Sequence, residues 1–107
     1  MGQMTIGVVH HARLAWDAAR IVVAVADGDE SRRYDWLADR LDLFGPEYQQ
    51  ALSISRTRLM YRLREDAPMM EAGMWRTRLH ELLDGRPELA GPVRALIDEL
   101  TPIVYPT

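Results

Sequence analysis

Three places in the chain carry residue types whose spacing could do chemistry. In "HELLD" (residues 80–84), His80 and Asp84 are four apart and share one helix face, as the ligands of the zinc pattern H-E-x-x-H do. The position of the second histidine is taken by Asp84, and no third ligand is evident, so this pair is expected to be a solvated helix face. His10 and His11 are adjacent. Neighbours on a helix point about 100° apart and do not chelate together. The third place is "ALSISRTRLMYRLRED" (51–66), where Arg56, Arg58, Arg62 and Arg64 fall within nine positions with no acid among them. Such a run can neutralise phosphates, or it can be the wet side of a packed helix.

Several chemistries lack their residues. There is no cysteine, hence no disulfide framework, thiolate metal site or thiol nucleophile. The seven glycines are scattered singly, so no loop is built to cradle phosphate. No serine sits in a strand–turn–helix elbow. The expectation is a protein that is not an enzyme and takes no metal or cofactor. The 13 basic side chains are all arginine, and the net charge is −3. That balance argues against coating nucleic acid by bulk attraction, while leaving room for a local basic patch. The most apolar segment, "ARLAWDAARIVVAVA" (12–26), is interrupted by Arg13, Asp17 and Arg20. It is also short of the ~20 clean residues that a membrane span needs. No basic region followed by an apolar run opens the chain. A soluble, cytoplasmic protein is expected, with no membrane partner.

The elements that would position these residues are helical. Apolar residues recur with helical period nearly throughout, alternation of period two is almost absent, and Gly and Pro fall at the joints. The chain predicts an all-α, single-domain bundle of about five helices over residues 1–100, with 101–107 an extended tail. The first helix, about 6–27, stops at Gly28. His10, Arg13, Asp17 and Arg20 form one narrow polar stripe, and the rest of its surface, Trp16 included, is apolar. A helix apolar over most of its circumference is buried on several sides, as the central helix of the bundle or in an oligomer interface. The second, about 30–44, is capped by Asp29 or Ser31 and buries Tyr34, Leu37, Ala38, Leu41 and Phe44. The third spans about 46–66, with Pro68 marking its end. The fourth, about 68–84, buries Ala72, Trp75, Leu79, Leu82 and Leu83. The fifth, about 87–100, uses Leu89, Val93, Leu96 and Leu100. Gly91-Pro92 predicts a kink there, or a short first turn and a restart.

Two readings of 46–66 follow. As one helix, Tyr48, Leu52, Ser55, Leu59 and Leu63 share a core face. Arg58 and Arg62 then lie on another face with Ile54 and Tyr61. Alternatively, "SISRT" holds four mediocre helix formers in five positions, which suggests a turn at Ser53-Ile54 and a new helix capped by Ser55. Leu52, Ser53, Ile54, Ser55, Arg56, Thr57, Leu59, Arg62, Leu63, Arg64 and Glu65 then resemble the recognition half of bacterial helix-turn-helix regulators of the factor-for-inversion and resolvase-like types. The resemblance implies that Ser55, Arg56, Thr57 and Arg58 face the DNA groove, with Arg62 and Arg64 on the backbone.

"MWRTRLHELLDGRPELAGPVRALIDEL" (74–100) resembles a C-terminal helical hairpin of uncharacterised actinobacterial proteins, through Trp75, Leu79, Leu82, Leu83, Pro87, Leu89, Leu96 and Leu100. The resemblance implies a small module of a regulatory or interaction assembly and brings no catalytic residue. The remaining signal is excess apolar surface. Trp36 with Leu43, Ile54 with Tyr61, and Met70 with Met74 lie off the main stripes of their helices, and such residue types favour partner surfaces. The leading expectation is a protein-interaction or regulatory module, a homodimer, using the first helix with Trp16 and the Trp36/Leu43 face. The alternative is a DNA-binding regulator using residues 55–64.

Overall fold

The computed structural model describes the backbone of residues 2–106 and the side chains of residues 10–106. Among these residues there are five α-helices and no strand: α1 (Gly2–Asp27), α2 (Ser31–Asp42), α3 (Pro46–Met60), α4 (Ala67–Gly85) and α5 (Ala90–Val104), with a 3-10 turn at Pro87–Leu89 before α5. None of these helices is long and apolar enough to cross a membrane.

The amphipathic pattern explains why α1 is the hub. Leu14, Ala15, Ala18, Ala19, Ile21, Val22, Val23, Val25 and Ala26 are all buried, and α1 packs against each of the other four helices, most extensively α4 and α5. The small buried side chains at 15, 18 and 19 leave room for neighbouring helices to pack closely on α1. His10, Arg13 and Arg20 remain exposed along the predicted polar stripe. The apolar circumference of α1 is thus used up inside one chain over its described side chains, and Trp16 is half-buried.

Around the hub, the predicted stripes hold with local corrections. The cap of α2 is neither Asp29 nor Ser31. It is Glu30, whose carboxylate accepts from the backbone N–H of Arg32 at 3.3 Å. Leu37, Ala38, Leu41 and Phe44 are buried, while Tyr34 is only half-buried beneath the Arg56 guanidinium. Between α2 and α3, Gly45 adopts φ +147°, a conformation closed to most side chains, and Pro46 opens α3. Pro92 falls in the first turn of α5, where its missing N–H has no helical partner to lose, so the restart after Leu89 occurs without breaking α5. Residues 101–104, expected as extended tail, instead complete α5, and Val104 packs against the core.

The third helix differs most from expectation. It runs unbroken through Ser53-Ile54, so the turn that the helix-turn-helix resemblance implies is not there. The hydroxyls that could have competed for the local backbone leave the helix intact. Thr57 Oγ1 donates back to the Ser53 carbonyl at 3.1 Å, within the helix, and Ser55 Oγ turns inward to α4. The helix then stops at Met60, six residues before the predicted end. Leu63, expected on the core stripe, lies in the 61–66 connection with its side chain 100% exposed. The cause is positional: α3 crosses the C-terminal end of α1, as the bonds from Arg56 and Arg62 to residues 26–28 show, and past Leu59 no α1 surface remains to pack on. Pro68 sits in the first turn of α4, so it opens that helix rather than closing the previous one.

Candidate functional site

Each arginine of the basic stretch is answered inside the chain. Arg56 extends over the end of α1, where Nη1 donates to the carbonyls of Ala26 and Gly28, both at 3.3 Å, and its guanidinium lies 4.7 Å from the Tyr34 ring centroid. α1 has no basic residue in its own last turn, so Arg56 supplies the positive charge that a helix C-terminus favours. Arg56→Ala is expected to cost about 1 kcal/mol in urea unfolding, and to speed amide exchange selectively at residues 24–28. Arg62 pairs with Asp27 at 3.0 Å, and Arg64 grips Asp66 through two bonds of 2.9 Å. Arg58 grips Glu71 through Nε at 2.8 Å and Nη2 at 3.0 Å.

Glu71 is the functional-site residue that the sequence reading missed. It is 4% exposed, on the face of α4 that also buries Ala72 and Trp75. Its Oε1 also accepts from Ser55 Oγ at 2.7 Å, and Ser55 Oγ in turn accepts from the Trp75 indole N–H at 2.9 Å. This chain of bonds, Trp75 to Ser55 to Glu71 to Arg58, ties α3 to α4 with no buried side-chain polar atom left unpartnered among the described residues. Ser55 is therefore a buried link, not a group facing a DNA groove, and only Thr57 of the four residues placed at that groove lacks a cross-helix partner.

Above this network lies an open apolar groove of about 570 Å³, lined by Tyr61, Leu63, Ala67, Met70 and Met74, with Arg58 and Glu71 at its base. Ile54, one helical turn before Arg58, extends the same face of α3, and its side chain is half-exposed. Tyr61 and the off-stripe pair Met70/Met74 thus come together at one corner, beside a leucine that the periodicity had placed in the core, with Ile54 further back along the same side of α3. Met60 and Met69 are also exposed.

The other expected interaction residues lie apart from it. Trp16 is half-buried between the Arg20 and Arg76 guanidinium groups, each 5.5 Å from its ring. Trp36 is half-buried under Arg40, and with Leu43 it borders only a 90 Å³ hollow against α5. On another surface, His11 Nδ1 and His80 Nε2 lie 3.9 and 3.7 Å from Asp84 Oδ1. No set of three or more His, Cys, Asp or Glu among the described residues is placed to hold a metal ion.

No protein-family model, no curated protein and no solved structure matches this chain.

Proposed function

We propose that this chain is a non-catalytic helical interaction module, of the kind used in regulatory assemblies, and that it binds protein through the α3–α4 corner. One observation carries the reading: Tyr61, Leu63, Met70 and Met74 line one exposed apolar groove, with Ile54 exposed two turns earlier on the same side of α3, on a framework that buries its other stripes well. A contiguous apolar surface of this kind is uncommon on a monomer that has no use for it, and methionine and tyrosine are the types that partner surfaces favour. The face replaces the first helix and the Trp36/Leu43 surface as the contact region. The first helix spends its described apolar side chains inside the chain, and Leu43 with Trp36 borders only a small hollow against α5.

The test is site-specific photo-cross-linking in cell extract and in the purified protein, with the cross-linker at Met70, and at Arg33 on α2 as control. Protein adducts at position 70 that are absent at position 33 support the module. Equal labelling at both positions, or none at either, overturns it. A DNA-binding role would require Arg58, Arg62 and Arg64 to leave their carboxylates for phosphates. Titration of random duplex DNA at low salt is expected to show no binding, in the wild type or in Arg58→Ala/Arg62→Ala. Salt-sensitive binding that the double variant weakens would favour nucleic acid as the ligand.

A further inference from the structure

We infer that the occupant of the α3–α4 groove is the same corner of a second copy, with Leu63 of each chain seated in the Tyr61–Met70–Met74 groove of the other. The inference rests on the interaction reading above and names its partner.

The first reason is shape. A fully exposed leucine stands at the rim of an apolar groove lined by flexible methionines. Knob and hole lie on the same surface of the same chain. A two-fold axis through that surface makes both contacts at once, because in such an interface each residue pair occurs twice. Methionine, unbranched and polarisable, adapts its shape to an inserted side chain.

The second reason is charge. Between Thr57 and Met74 the chain carries Arg58, Arg62 and Arg64 against Glu65, Asp66 and Glu71, so the face is neutral in sum. Each of the three guanidinium groups already holds a carboxylate of its own chain, at 3.0 Å or less. An acidic partner, whether protein or anionic lipid, would have to displace those pairs. A second copy would not, and two neutral faces meet without like-charge repulsion.

The third reason is area. The exposed fractions of Tyr61, Leu63, Met70 and Met74 at the groove, with that of Ile54 on the adjoining side of α3, amount to about three fully exposed large side chains. At about 200 Å² each, that is on the order of 600 Å² of apolar surface per copy. Two copies would cover about 1,200 Å² before any polar rim is added, which is where specific interfaces begin. The association is accordingly expected to be reversible and concentration-dependent rather than permanent.

The full chain is 12.3 kDa and contains no cysteine, which makes two measurements clean. Sedimentation velocity across a concentration series should show a monomer–dimer equilibrium for the wild type. Leu63→Asp should weaken it by at least about tenfold, with the thermal melt unchanged at concentrations where both proteins are monomeric, because the side chain touches no core. Leu43→Asp, at another exposed leucine away from the groove, should leave it unaltered. Independently, chains carrying Leu63→Cys and chains carrying Met70→Cys, mixed under mild oxidation, should form a mixed disulfide dimer more readily than either variant alone. Dimers insensitive to Leu63→Asp, or mixed-disulfide yields no higher than those of a Leu43→Cys control, overturn the inference. A wild type that stays monomeric while Met70 cross-links another protein overturns the second-copy assignment and leaves the interaction module standing. A monomer whose Met70 cross-links nothing overturns both, and capture of the monomer by anionic vesicles through Leu63 would reassign the groove to a lipid surface.

Discussion

Val22→Asp is expected to abolish cooperative folding. Val22 lies in the C-terminal part of the hub helix with none of its surface accessible, between buried Ala18, Ala19, Val25 and Ala26 on the same helix. A carboxylate there would be taken out of water with no cation in reach, since the nearby Asp17 and Arg20 stand on the solvent-facing stripe. The penalty for an uncompensated buried charge, added to lost packing, exceeds about 4 kcal/mol. That is most of the stability of a domain this size, roughly 5–15 kcal/mol. Far-UV circular dichroism should lose its helical signal, or the urea transition should broaden and move to near zero denaturant. Ala12→Asp, on the exposed part of the same helix, is expected to change stability by less than about 1 kcal/mol. Equal tolerance of both substitutions would mean that α1 is not enclosed by the other four helices.

The position of Val22 was legible in the sequence because the polar residues of α1 fall on one stripe and leave every other direction apolar. The stripes of α4 and α5 were legible for the same reason: Trp75, Leu79, Leu82 and Leu83, and Val93, Leu96 and Leu100, repeat at helical spacing, and all of them are buried. Periodicity says which residues want burial. It does not say where the neighbouring helix ends. That is why Leu63 continued the stripe of Leu52, Ser55 and Leu59 on paper and stands exposed in the fold. The buried network was half legible. Ser55 was placed on the core face, and Glu71 falls one turn before Trp75, on the stripe that continues to Leu79. Two polar residues on two core stripes are a signal for a buried hydrogen bond, but only the packing of α3 on α4 brings them together. The arginines misled for a related reason: their carboxylate partners Asp27 and Glu71 are 35 and 13 residues away in the chain, beyond the reach of any local pattern.

Glu71→Ala is expected to cost about 2–4 kcal/mol, although it removes a residue from the helix surface that faces an exposed groove. The carboxylate accepts three bonds, from Ser55 Oγ and from Nε and Nη2 of Arg58. Without it the Ser55 hydroxyl, 1% exposed, keeps its bond from Trp75 and loses the acceptor for its own proton. Arg58 loses its fixed position as well, but its side chain is 52% exposed and regains water, so its share of the loss is small. This asymmetry makes a double-mutant cycle informative. Arg58→Ala alone should also cost about 2–4 kcal/mol, because it leaves the Glu71 carboxylate, its side chain 6% exposed, without its cation, and Arg58→Ala/Glu71→Ala should cost less than the two single effects together, because both remove the same bonds. Glu71→Gln, which keeps an acceptor oxygen for Ser55, should fall between Glu71→Ala and the wild type in urea unfolding. Additive effects in the cycle would mean that the pair is not coupled. The same substitution reaches the surface above it. Arg58 and Glu71 form the base of the groove beneath Tyr61, Met70 and Met74, and their bonds are the polar link that fixes α3 against α4 at that corner. Loosening them should change the groove as well as the stability. Glu71→Gln is therefore expected to weaken association of the chain under conditions where it remains fully folded, whereas Arg56→Ala, at the far side of α3, should lower stability and leave association as it was.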